Sequence, residues 1–118
     1  DALAGRNIEV KAPRRVVRAY VSISEILSLA FSELLSEPQG VTSFDTGGIP
    51  LELNDVAQIV ADQFSGVAVN RTKISDAHDD IYHGDSVAYR NLLSQHQIVP
   101  VTLRAQICKT IDYLRAGP

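Results

Sequence analysis

Four residues near the start of the chain carry most of its readable chemistry: Arg14, Arg15, Arg18 and Tyr20. A guanidinium is a permanent cation with paired donors that match phosphate oxygens. In an extended segment, period two places Arg14, Val16, Arg18 and Tyr20 on one face. That face is a candidate anion surface. Arg18 would hold a phosphate, and Tyr20 would border or stack on the attached group. Arg14 and Arg15, with Lys11, would either steer an anion toward it or form the exposed rim of a hairpin, the plainer reading. The ordinary alternative is a solvated strand arginine, or one salt-bridged to Glu9 or Asp45.

A second cluster, His78, Asp79, Asp80, His83 and Asp85, has ligand types suited to zinc or iron. Its spacing fits no specific metal motif, so it reads as a solvated acidic loop. Cys108, the only cysteine, has no histidine beside it and reads as a structural thiol. Gly47-Gly48 ahead of Pro50 reads as a tight turn.

The elements that must position these residues follow from periodicity. Asn7 to Lys11 alternates as a short strand, and Arg14 to Ile23 as a longer one with Val17, Ala19, Val21 and Ile23 facing the core. Ser22-Ile23-Ser24-Glu25 has the capping-box pattern. The helix behind it carries Ile26, Leu27, Ala30, Phe31, Leu34 and Leu35 as one apolar stripe and ends at Glu37-Pro38-Gln39-Gly40. Val41 to Asp45 reads as a strand. A second helix, capped by Asn54 or Asp55, has Val56, Ala57, Ile59, Val60 and Phe64 as its stripe and Gly66 as its C-terminal stop. Val67 to Ile74 reads as a strand, and Ser75 to Gly84 as a loop. Asp85 or Ser86 caps a third helix through Leu93. After the extended Ile98-Val99-Pro100, Thr102 caps a fourth, with Leu103, Ile107, Ile111 and Leu114 on one side. The expected class is α/β, in the form of a small α+β-like lobe: short strands with about four amphipathic helices.

Composition bounds the function. The 118 residues suit one lobe or small domain, with 45% hydrophobic and 21% charged residues and a formal net charge of -3. That balance argues against nucleic acid as the main partner. No apolar run reaches the roughly 20 residues of a membrane span, and a lone cysteine gives no sign of an oxidising compartment. A cytoplasmic location is expected, with no membrane partner. The chain begins with Asp1 and reads as starting inside a longer protein.

The order of the pieces resembles the carboxy-terminal region of an extended short-chain dehydrogenase/reductase, of the sugar-nucleotide epimerase and dehydratase kind. Arg18-Ala19-Tyr20-Val21-Ser22-Ile23-Ser24-Glu25-Ile26 resembles the family's Arg-Asp-Tyr-Ile-His-Val-x-Asp-Leu. Ala19 and Ser22 depart from its aspartate and histidine. Val41 to Gly48 resembles its Tyr-Asn-x-Gly-x-Gly strand, and Asp85 to Leu93 its Asp-x-x-Lys-Ala-x-x-x-Leu helix. The opening Ala2 to Val10 and the closing helix from Thr102 to Leu114 also match in kind, so the likeness spans nearly the whole chain.

The resemblance implies that residues 1–118 form the substrate-binding lobe of a larger enzyme. Arg18 would hold the diphosphate of a nucleotide-diphosphate sugar, with Tyr20 and Arg14 beside it. The family often has a further nucleotide-holding arginine near Ala77 and His78. Here His78 stands in that region as a substrate-binding candidate, and the nearest arginine is Arg71. The parent would use NAD or NADP, held by an amino-terminal dinucleotide-binding domain outside this chain. This chain has neither a glycine-rich pyrophosphate loop nor a Tyr-x-x-x-Lys pair, so no cofactor-binding and no catalytic residue is assigned within it. A homodimer is compatible with that arrangement. The competing reading is a stand-alone binding or oligomerisation module of the same ancestry, without catalysis.

Overall fold

The computed structural model describes residues 1–36 and 43–117. A 3-10 turn at Ala2–Ala4 ends on left-handed Gly5 and leads into strand β1 (Ile8–Val10), then β2 (Val16–Tyr20) and helix α1 (Ile23–Leu35). Strand β3 (Ile49–Glu52), helix α2 (Leu53–Ala61), β4 (Val69–Arg71), β5 (Asp80–Tyr82), helix α3 (Ser86–Gln95) and helix α4 (Leu103–Ala116) follow. The described residues are thus a mixed α+β arrangement of four α-helices and two small sheets, as the pattern predicts.

The first sheet pairs β1 with β4 in parallel, Ile8 opposite Val69. The second has β2 at its centre. Antiparallel β3 lies on one side, with Ala19 opposite Pro50, and parallel β5 on the other, with Arg18 opposite Tyr82. Pro50 is tolerated because β3 is an edge strand and one missing N–H costs no ladder bond there. Helix α2 lies against β1, β4 and α4. Leu29 of α1 and Tyr89 and Leu93 of α3 form a fully buried cluster, with Val21, Leu92 and Ile98 around it.

Side-chain caps set the helix starts. Asp85 accepts from the Val87 and Ala88 amides, both at 2.9 Å, and Thr102 from the Ala105 amide at 3.2 Å, as expected. Helix α2 is capped instead by Glu52, which accepts from the Asn54 amide at 2.7 Å. Helix α3 stops without glycine. Gln97 takes φ 55°, the Ile98 amide bonds the Leu93 carbonyl, and the Gln97 amide bonds that of Ser94. Both bonds of a Schellman stop are present, and Ile98 packs back on the core.

Several expectations change. The long strand ends at Tyr20, because Ser22 takes up the cap position and Ile23 is already helical. The capping box does not form: the Ser22 hydroxyl pairs with that of Ser24 at 2.8 Å, and Glu25 points inward. Ser43 to Asp45 are not a strand; Val41, Thr42 and the expected helix end at 37–40 lie outside the described residues. Gly66 does adopt a left-handed φ of 76°, but beyond two turns that follow α2. Strands β3 and β5 were not legible, since Pro50 and the acidic run conceal three- and four-residue pairings that only β2 defines.

The largest correction concerns α1. The stripe of Leu27, Ala30, Phe31, Leu34 and Leu35 faces outward: Phe31 is 61% exposed, Leu34 78% and Leu35 87%. Glu25 and Leu29 face inward, and Glu33 is half-buried beside them, accepting from His96 at 2.6 Å. The helix therefore turns Glu25 and Leu29 in, keeps Ile26 half-buried, and leaves the rest of its apolar stripe outward. The molecule is also a plate of 51 × 41 × 20 Å with a radius of gyration of 17.2 Å. A compact chain of this length has a radius near 13.5 Å, by the scaling of about 2.2·N^0.38 Å. Its accessible surface is 8245 Å², about 2,000 Å² more than a compact monomer of its mass exposes.

Candidate functional site

Arg18 sits mid-strand in β2, and β5 runs beside it in parallel. That register carries Asp80 to the guanidinium. Nη2 donates to Asp80 Oδ2 at 2.8 Å, while Nη1 donates to the Val17 carbonyl at 2.8 Å and the Asp80 carbonyl at 2.9 Å. The side chains of Arg18 and Asp80 are 36% and 44% exposed. Their mutual hydrogen bond, reinforced by opposite charge, holds the Arg18 pKa above and that of Asp80 below their ordinary values. The partner is thus neither Glu9, which accepts from Asn70 Nδ2 at 2.7 Å, nor Asp45.

The same pattern recurs beside it. Arg14 Nη2 meets Asp76 Oδ2 at 2.8 Å, and Arg15 Nη1 meets Asp79 Oδ2 at 3.1 Å. Asp76 also accepts from the His78 backbone amide at 2.9 Å and lies 3.2 Å from its Nδ1. Those two His78 bonds, then the charge of Arg14, lower its pKa. Arg14 and His78 therefore share one carboxylate, while Arg18 belongs to the neighbouring pair. The backbone fixes this alignment: the Ser75 and Asp76 amides bond the Pro13 carbonyl and the Asp80 amide bonds that of Arg15. Sequence reasoning identified the three arginines but treated the acidic run as a separate solvated loop. The signal it passed over was the complementarity of three arginines at 14, 15 and 18 with three aspartates at 76, 79 and 80.

Tyr20 lies elsewhere. It lines a cavity of about 300 Å³ with Gly47, Gly48, Pro50, Ser86, Arg90 and Val101 among its walls. Arg18, Arg14 and His78 are not part of that lining. The glycines are required here. A side chain at Gly48 would collide with the Tyr20 backbone, and one at Gly47 with that of Asp85. This close approach closes one wall and leaves no room for a β-carbon. Arg90, which the sequence reading did not single out, donates from Nε to the Ser86 carbonyl at 3.0 Å. A second, more open cavity of about 420 Å³ has largely apolar walls: Ala57 and Val60 of α2, Phe64 in the turns after it, Ile107 and Ile111 of α4, and Leu3 and Ile8 near the amino end.

Two acids, buried Glu25 and half-buried Glu52, hold these parts in place. Glu25 accepts from the Tyr89 hydroxyl at 2.9 Å and the Val101 amide at 2.7 Å, tying α1 to α3 and to the segment before α4. Burial first, then the bond to Glu25 and its charge, push the Tyr89 phenol above its ordinary range, so it stays a donor. Glu52 receives Arg71 Nη1 on both oxygens, at 2.7 and 2.8 Å, and so joins the two sheets. Cys108 donates to Gln63 Oε1 at 3.4 Å, a structural contact. Among the described residues no group of three or more His, Cys, Asp or Glu side chains is placed to hold a metal ion. Nor is any helix long and apolar enough to cross a membrane.

Together these features define a flat α+β fold in which three arginines, two just before β2 and one within it, are each paired with an aspartate. Compared with protein-family models, with curated proteins and with solved structures, the chain matches none.

Proposed function

We propose that the chain is a phosphate-binding lobe that takes a nucleotide-diphosphate sugar at Arg18. In this reading it works within a larger NAD- or NADP-dependent epimerase, dehydratase or reductase and performs no catalysis alone. The observation that carries it is the state of the Arg18 guanidinium. Two backbone carbonyls orient it, its remaining amino group meets a carboxylate, and it stays accessible. A preoriented arginine already engaged with an anion suits phosphate recognition. Arg14 and His78, linked through Asp76, extend the polar surface along the same edge. Tyr20 borders a cavity with mixed polar and apolar walls that Arg18 does not line; in this reading that cavity takes the sugar or base.

Calorimetry of the full chain with UDP and UDP-glucose tests this reading. Arg18→Ala is expected to weaken binding about tenfold or more, as loss of a charge-assisted bond worth about 1.5–3 kcal/mol requires. Equal affinity of wild type and variant would exclude Arg18 as the phosphate ligand.

The outward apolar face of α1 and the excess surface support the lobe part of this reading. They equally favour the second reading, a self-associating module without catalysis. A standard interface buries about 800 Å² per partner, and the excess surface exceeds that. Sedimentation of the isolated chain is expected to show concentration-dependent self-association that Leu34→Ser reduces. A strictly monomeric chain at about 100 µM, far above the Kd of a standard interface, would leave that face without the role given to it.

A further inference from the structure

We infer that Asp80 is an internal stand-in for the phosphate at Arg18, and that a phosphate-bearing ligand binds by displacing its side chain. This inference rests on Arg18 being the phosphate ligand, as proposed above, and adds how access to it is controlled.

Three observations carry it. First, the guanidinium does not depend on Asp80's carboxylate for its position. The Val17 and Asp80 carbonyls hold Nη1, so the donors stay aimed when the carboxylate leaves. Second, that carboxylate is held by a single N–H bond, at 2.8 Å, and is 44% exposed. Exposed ion pairs are weak and exchange readily with solvent. Only the side chain needs to move, because the Asp80 amide stays on the Arg15 carbonyl and β5 stays paired with β2. Third, the arrangement is repeated. Arg14 and Arg15 are covered by Asp76 and Asp79 from the same segment, so the basic edge is neutral at rest, three charges against three.

The consequence is a threshold on ligand charge. A carboxylate competes for Arg18 on nearly equal terms with Asp80 and gains little. A phosphate, with more charge and more acceptor oxygens, displaces it. The preference for phosphate esters and diphosphates over carboxylates comes from their own charge and acceptor oxygens; the cover scales all ligands down alike, so only the stronger anions still bind. The occupied state also lowers apparent affinity by the fraction of molecules in which Asp80 covers Arg18.

The experiment is a titration of the full chain with UDP, inorganic pyrophosphate and citrate, on wild type, Asp80→Asn, Asp80→Ser, Asp79→Asn, Arg18→Ala and the Arg18→Ala/Asp80→Asn double variant. Melting curves on each establish folding, and two replacements of Asp80 guard against the loss of one. Both Asp80 variants are expected to bind UDP and pyrophosphate about fivefold tighter, the gain when a site covered about four-fifths of the time is opened. Citrate should gain at least as much. Asp79→Asn removes the same charge from the Arg15 pair and is expected to change affinity by about twofold or less, a general electrostatic effect. The double variant should lose the gain.

Unchanged or weaker UDP binding in both Asp80 variants, with binding still lost in Arg18→Ala, would overturn the displacement and leave the function standing. A gain in Asp79→Asn equal to that in Asp80→Asn would overturn it too, by showing net charge alone at work. UDP binding that ignores Arg18→Ala, or is absent in every variant, would remove both.

Discussion

Glu52→Ala is expected to destabilise the fold by about 3–4 kcal/mol, the range for removing one partner of a largely buried ion pair together with a helix cap. The carboxylate is 13% and the Arg71 guanidinium 20% exposed. Removing the acid strands a charge whose remaining contact is Nη2 to the Arg14 carbonyl at 3.2 Å. Arg71 Nε is already buried without a partner among the described residues, so water does not readily compensate. The Asn54 amide loses its cap at the same time. Because β3 belongs to one sheet and β4 to the other, the variant should also loosen the two sheets against each other.

A pH signature accompanies this prediction. Burial alone would raise the Glu52 pKa, but the Arg71 bonds, the Asn54 and Val16 amides and the Arg71 charge outweigh it and hold it below the ordinary 4.5. A depressed acid stabilises the fold above its unfolded value, and the contribution fades as pH falls through the folded value. Urea melts of wild type should therefore lose stability below about pH 4.5, and Glu52→Ala should lose less over that window. A variant that melts like wild type at pH 7 would show that the sheets are held by packing instead.

Glu25→Ala is the second large effect, about 3 kcal/mol or more. Two donors, the Tyr89 hydroxyl and the Val101 amide, lose their acceptor in a water-excluded setting, and each costs about 1–3 kcal/mol. A small cavity beside Leu29 adds to the loss. Thermal melts should fall by about 10 °C for a chain of this size. Glu25→Gln keeps one acceptor oxygen, and the tyrosine hydroxyl can reverse to accept from its amide, so about half the effect is expected. Equal melting of the alanine variant and wild type would mean that Glu25 is not the tie between α1 and α3.

Local signals read correctly from the sequence share one property: their physics closes within a few residues. Asp85 and Thr102 cap helices because their acceptors reach amides two or three positions on. Strands β1, β2 and β4 appear inside the alternating runs that predict them. The four helices form where the apolar period predicts them, while the expected side-chain caps form at α3 and α4 and not at α1 or α2.

Tertiary structure alone decided the rest. Periodicity finds an apolar stripe on α1 but not which side meets the core. Glu25, whose spacing from Ser22 fits a cap, is drawn inward by donors 64 and 76 positions away. Strand β5 exists only because β2 offers it a partner, and that register turns Asp80 from a loop residue into the counter-charge of Arg18. Charge complementarity between positions 14–18 and 76–80 was present in the amino acids. The distance between them was not, because loop closure across some sixty residues is set by the packing of everything in between.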